Sequence, residues 1–228
     1  MNLFQQEFRR LGIDIDHIYG ELDYGEPLNY PFEINAIEFL QFAERSLEIG
    51  NKQGLIDCLT NAKRAIDCQI DKLLACFGYE FKKYSIHQKI DLLNKLGVIV
   101  PRILRKVRSK RNFLEHEYLC PTQEETEDAL DIATLFVYAS NSSLEPFFLS
   151  YSIVEDNEKV TESVQKYVYF EFKKEEKRLE VFFGDGQKEW PKLDFTVKDE
   201  LYPYLLSIST RLAKTLPIVE TIECILKL

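Results

Sequence analysis

The spacing of apolar residues changes once along the chain, and that change constrains the fold more than any other feature. Between residues 35 and 145 apolar positions recur at three- and four-residue intervals: Ile37, Phe39, Leu40 and Leu47, then Leu55, Ile56, Leu59, Ile66, Ile70, Leu73, Leu74 and Phe77. After Pro146 they alternate, in Phe147 to Val154, Val168-Tyr169-Phe170-Glu171-Phe172 and Leu179-Glu180-Val181-Phe182-Phe183, and these segments are rich in aromatic and β-branched residues. A helix-period pattern will not settle as a strand, nor the reverse. The expected class is therefore α+β: an N-terminal antiparallel helical bundle, then a small antiparallel β-sheet with C-terminal helices.

Punctuation sets the boundaries. Helices are expected at about 36–49 and 53–77, then from Ser85, a fitting N-cap, to Gly97, a helix stop. Pro101 opens a further helix of about 101–118, where its missing N–H costs nothing. Thr122 and Glu125 form a capping-box signature for a helix of about 122–142, and Glu124, Glu125, Glu127 and Asp128 suit the positive end of its dipole. Lys173 to Lys177 reads as a charged turn between strands, followed by a short strand near 193–197 and a helix near 199–215. Residues 1–34 contain Gly12, Gly20, Gly25, Pro27 and Pro31, and read as an irregular, mostly non-core arm. The expected organisation is an arm over 1–34, a helical domain over 35–145 and a small α+β domain over 146–228.

The 228 residues carry 38 acidic and 29 basic side chains, a formal charge of −9 that excludes a protein coating nucleic acid nonspecifically. Cys58, Cys68, Cys76, Cys120 and Cys224 contain no Cys-x-x-Cys pair and mostly occupy apolar helical positions, so reduced thiols are expected. The N-terminal stretch lacks the order of a signal peptide, and no apolar run approaches the roughly 18 residues a membrane helix needs, so a cytoplasmic location without membrane contact is expected. His17, Asp14 and Asp16 read as polar residues on the surface, His87 as solvated, and Gly184-Asp185-Gly186 as a turn; no metal or cofactor is expected. The aromatics of 147–183 read as sheet core, although an aromatic face can also hold a nucleotide base.

Against this acidic background the segment Arg102 to Arg111 concentrates positive charge: Arg102, Arg105, Lys106, Arg108, Lys110 and Arg111, with no acidic residue among them. On a helical wheel of about 100° per residue, Ile103, Leu104, Val107, Leu114 and Tyr118 fall in one arc, and Arg111 lies inside it. A guanidinium aimed at an apolar face needs a partner or a ligand there, either an acidic neighbour such as Asp67 or Asp71, or a substrate anion.

Arg111-Asn112-Phe113-Leu114-Glu115-His116 resembles the signature of the HEPN superfamily of small helical domains, and continuing to Tyr118 it matches the longer Arg-x-x-x-x-His-x-Tyr form of HEPN ribonuclease toxins paired with nucleotidyltransferase antitoxins. The short form arises by chance in about 13% of chains of this composition, the long form in on the order of 1%, so the tyrosine makes the match informative. The resemblance covers about residues 35–145. It implies a HEPN-like bundle and a metal-independent endoribonuclease leaving 2′,3′-cyclic phosphate ends, acting in defence or stress. His116 is then the acid/base, Arg111 the phosphate clamp and Asn112 a hydrogen-bond donor to the phosphate or imidazole. Arg102, Arg105, Lys106, Arg108 and Lys110 bind RNA, and Tyr118 is a possible modification site for a nucleotidyltransferase-type antitoxin.

On an ideal helix Arg111 and His116 point about 140° apart, so one straight helix does not aim both at one phosphate. The resemblance answers this with a homodimer, in which the motif-bearing helices of two chains form one composite cleft. Two other readings stay open: a HEPN module that no longer cuts and serves dimerisation or RNA or nucleotide binding, and an adaptor whose sheet edge recruits another protein.

Overall fold

In a computed structural model, which describes residues 2–98, 119–156, 165–185 and 190–228, the chain is α+β. Seven helices lie among the described residues: α1 (Leu3–Leu11), α2 (Ala36–Glu48), α3 (Lys52–Cys76), α4 (Ile86–Lys95), α5 (Gln123–Asn141), α6 (Tyr202–Ala213) and α7 (Val219–Lys227). Five strands, β1 (Ile18–Glu26), β2 (Phe147–Glu155), β3 (Tyr167–Lys173), β4 (Arg178–Gly184) and β5 (Leu193–Phe195), form one sheet in that order, every neighbouring pair antiparallel.

The caps expected from the sequence organise the helices. The Ser85 hydroxyl accepts from the Gln88 amide while the Gln88 side chain returns to the Ser85 amide; Thr122 and Glu125 do the same for α5. Asn35 and Glu38 form a third such box at α2. The 25 residues of α3 give a rod roughly 37 Å long, around which α2 and α5 pack. Small side chains bring the backbones together: Ala43, Ala62, Ala65 and Ala133 are fully buried. Gln69 donates to the Ser140 hydroxyl at 3.1 Å, tying α3 to α5 through a buried polar contact.

Residues 1–34 are not an irregular arm. The Asn2 side chain caps α1, Phe4, Phe8 and Leu11 line one stripe, and Gly12, at φ 63°, ends the helix. Phe4 lies 5.6 Å from Phe183 and 6.2 Å from Phe195, so α1 packs on β4 and β5. Strand β1 then pairs with β2, from Ile18 opposite Glu155 to Glu26 opposite Phe147. Its glycines, which look like breakers in the sequence, are close approaches: a Cβ on Gly20 would overlap the Leu212 side chain of α6, and one on Gly25 would press on the Phe148 ring. The helices α2 to α5 are thus inserted between two adjacent strands of one sheet.

Alternation sorts the sheet residues. Tyr151, Ile153, Val168, Phe170, Phe172, Leu179, Val181 and Phe183 are buried on the face that carries α6 and α1. Tyr151 stacks on Phe170 with ring centroids 4.9 Å apart and donates its hydroxyl proton to the Leu205 carbonyl at 2.8 Å. Phe77, at the C-terminal end of α3, lies 5.2 Å from Phe147 and 6.2 Å from Phe172, and its carbonyl accepts from the Tyr202 hydroxyl at 2.9 Å. Helices and sheet share one hydrophobic cluster.

Two outcomes follow. Because Phe77 belongs to both halves, helix content and the fluorescence of Trp190, the single tryptophan, which packs beside Phe183, are expected to be lost at one denaturant midpoint; Phe77→Ala should shift both transitions together, with a loss of about 3–5 kcal/mol in unfolding free energy. Separate midpoints would show two independently folding units. Gly54→Ala improves helix propensity by up to about 1 kcal/mol, yet its Cβ would overlap the Ser46 carbonyl oxygen where α2 meets α3. Overpacking against backbone should win, a loss of about 1–3 kcal/mol in chemical denaturation, whereas the exposed Gln53→Ala should stay within about 0.5 kcal/mol.

Candidate functional site

Arg102, Arg105, Lys106, Arg108, Lys110, Arg111, Asn112, His116 and Tyr118 all lie outside the described residues. The described chain gives the frame on either side. Helix α4 closes at Gly97, φ 75°, with the Gly97 amide donating to the Asn94 carbonyl and the Val98 amide to the Leu93 carbonyl, 3.0 and 2.9 Å. Val98 is buried, which anchors the chain where it leaves α4. It re-enters at Leu119 and Cys120, and Pro121 and Thr122 start α5. Leu93 and Val98 on one side and Ala129, Leu130 and Ala133 on the other belong to the common core, so the two ends of the basic segment are fixed to the same helical body.

Helix α3 supplies the two acids that the sequence offers as partners for Arg111. Asp71 is held by Lys89 at 2.5 Å, both largely buried. Burial pushes the Asp71 carboxyl above its ordinary value, with the Lys89 ammonium opposing the shift. Asp67 pairs through Oδ2 with Lys63, one helical turn earlier, while its Oδ1 is buried without a hydrogen bond among the described residues. Lys89 also lies 5.7 Å over the Phe81 ring, so the α3–α4 seam is polar at its centre and aromatic at its rim.

The lesser candidates resolve plainly. His17 Nδ1 is 2.8 Å from Asp14 Oδ2, and this hydrogen bond is the main cause that lowers the Asp14 pKa below its ordinary value. Among the described residues no three His, Cys, Asp or Glu side chains group closely enough to hold a metal ion. His87 is exposed on α4, as expected. The aromatics of 147–183 divide by strand alternation: Phe147, Tyr151, Phe170, Phe172 and Phe183 are core, while Tyr167, Tyr169 and Phe182 stand on the opposite face beside Tyr19 of β1. Tyr19 was not singled out from the sequence, because the glycines around it masked its strand.

Comparisons with protein families, with curated proteins and with solved structures return no match for this chain. No helix among the described residues is long and apolar enough to cross a membrane.

All five cysteines are free thiols. Cys58 and Cys76 are buried in α3, and burial raises their pKa values, and that of the half-buried Cys68, to about 11. Cys224 is exposed. Alkylation at pH 8 followed by peptide mass analysis should therefore label Cys224 first and leave Cys58 and Cys76 unmodified until the chain is unfolded; early labelling of Cys58 would contradict the α2–α3–α5 packing.

Proposed function

We propose that the chain is a metal-independent endoribonuclease of the HEPN type. The observation that carries this reading is the run Arg111 to Tyr118, which holds the full Arg-x-x-x-x-His-x-Tyr pattern with a polar residue directly after the arginine, at the end of six positive charges in an acidic chain. Its setting supports it: the run lies between α4 and α5 in a chain segment whose described elements from Ala36 to Asn141 are helical.

In this reading Arg102, Arg105, Lys106, Arg108 and Lys110 hold the RNA backbone by charge. His116 takes the proton of the ribose 2′-hydroxyl as that oxygen attacks phosphorus, or donates a proton to the departing 5′-oxygen, the role an imidazole side chain is suited to near neutral pH. Arg111 offers a planar, permanently charged fork to the oxygens of the pentacoordinate phosphate, where negative charge grows. Asn112 donates a hydrogen bond to the phosphate or holds the imidazole. The P–O5′ bond breaks, leaving a 2′,3′-cyclic phosphate and a free 5′-hydroxyl. Two chains contribute to one cleft, which reconciles the divergent directions of Arg111 and His116. Tyr118 is the position where an antitoxin of the nucleotidyltransferase type would act, and the cellular role is defence or stress.

Total RNA incubated with the purified chain in EDTA should be cleaved to fragments with 2′,3′-cyclic phosphate ends. Arg111→Ala and His116→Ala should each lower the rate by about 10²- to 10⁴-fold while lowering the unfolding free energy by no more than about 1 kcal/mol. Cleavage that survives His116→Ala, or that EDTA abolishes, would overturn the assignment; RNA binding without cleavage by the unaltered chain would instead identify a module that no longer cuts.

A further inference from the structure

The face of the sheet turned away from α6 carries a trough, and it stands apart from the cleavage reading. Its floor is the stretch of β2 where the outward residues are Ser150, Ser152 and Val154, each less than one-tenth exposed. The neighbouring strands raise large side chains in register. Val154 is flanked by Tyr19 and Tyr167, and Ser152 by Glu21 and Tyr169. Glu171 lies beside Ser150, and Asp23 extends the β1 wall. Phe182 backs Tyr169, with ring centroids 6.0 Å apart.

The walls stand two strands apart, roughly 10 Å. Contacts of about 3.5–4.0 Å on each side use up most of that width, so one unbranched chain of methylenes fits between them lengthwise. From Tyr19 to Asp23 the wall spans four residue steps, roughly 13 Å.

Three independent features define what would lie there. Glu21 and Asp23 are exposed and make no ion pair among the described residues, whereas Glu171 on the opposite wall is paired with Lys173. Tyr19, Tyr167 and Tyr169 present ring surface, and the Gln165 side chain donates to the Tyr19 hydroxyl at 3.2 Å, across one end of the trough. The Ser152 hydroxyl, in a residue 7% exposed, lines the floor with no hydrogen bond among the described residues, although Ser150 beside it accepts from the Tyr24 amide at 3.2 Å. Burial and the nearby Glu21 carboxylate raise the Tyr19 pKa, so that ring remains a neutral phenol. Negative charge at the wall repels phosphate, which excludes RNA and nucleotides, while carboxylates beside tyrosine rings attract ammonium groups.

We propose that this trough binds a linear aliphatic polyamine. One ammonium group lies at Glu21 and Asp23 and donates to Ser152 Oγ; the methylene chain runs over Val154 between Tyr19 and the Tyr167 and Tyr169 rings, which receive the second ammonium on their faces.

Isothermal titration of the full chain with spermidine at about 0.15 M salt tests this, since longer-range surface attraction is screened there. Saturable one-to-one binding is expected. Glu21→Gln combined with Asp23→Asn should weaken it at least tenfold, and Ser152→Ala several-fold. Glu124→Gln with Asp128→Asn, the same charge change on the exposed face of α5, should leave it unaltered; circular dichroism checks that each variant is folded. Absence of saturable binding up to 5 mM spermidine, equal weakening in both double variants, or tighter binding of a penta-lysine peptide than of spermidine would each overturn the proposal.

Discussion

The contact on which the rest of the molecule depends is Phe77 seated between Phe147 and Phe172, with its carbonyl bonded to the Tyr202 hydroxyl. The inserted helices leave the sheet after β1 and return at β2, so those two strands can pair only if residues 27–146 bring their ends together. Closing so long a loop costs conformational entropy, although the cost grows only slowly with length. Phe77 offsets it by burying one large ring in both bodies at once. Tyr202 adds direction: its single hydroxyl proton points to Phe77, with the Lys177 carbonyl of the β3–β4 turn 3.3 Å away, so α3, the sheet and α6 meet at one atom. The Leu28 amide, bonded to the Leu144 carbonyl at 2.9 Å, closes the same loop from its other end.

Much of this could be read from the residues. Helices α2 to α5 and strands β2 to β4 begin and end within a few residues of the expected positions, because Ser85 and Thr122 are capping side chains with a partner three residues on, and because the apolar period changes from helical spacing to alternation after Pro146. Residues 1–34 were not legible. Gly20 and Gly25 look like breaks when the chain is considered alone, yet their missing side chains leave room for Leu212 and Phe148, residues nearly 200 and more than 120 positions away. A local reading has no access to that. The same applies to α1, whose Phe4 and Phe8 gain their meaning only from β4 and β5. The proposed cleavage motif is a stretch of adjacent residues, 111–118, that lies outside the described residues, whereas the trough is assembled from β1, β2 and β3 and has no sequence signature.

Charge is distributed unevenly along the chain. Glu21 and Asp23 stand on β1, while the positive residues are gathered between 102 and 111. At physiological ionic strength the screening length is about 8 Å, so each cluster acts on what touches it and little beyond. The net charge of −9 is the sum of these unlike stretches, so it does not describe any one of them.

The floor of the trough is where the sheet departs from what sheet stability alone would select. A central strand with paired neighbours on both sides favours β-branched or aromatic residues on either face, because each cross-strand pair contributes packing. On its buried face β2 follows that rule with Tyr151 and Ile153; on the other it places serine at 150, between Tyr24 and Glu171, and at 152, between Glu21 and Tyr169. Ser150 recovers a hydrogen bond from Tyr24; Ser152 recovers none. Valine at 152 would supply the packing that serine forgoes, so stability does not account for the hydroxyl. Ser152, 7% exposed and without a hydrogen bond among the described residues, presents its hydroxyl to the groove between Glu21 and Tyr169, which is the position the proposed ligand uses.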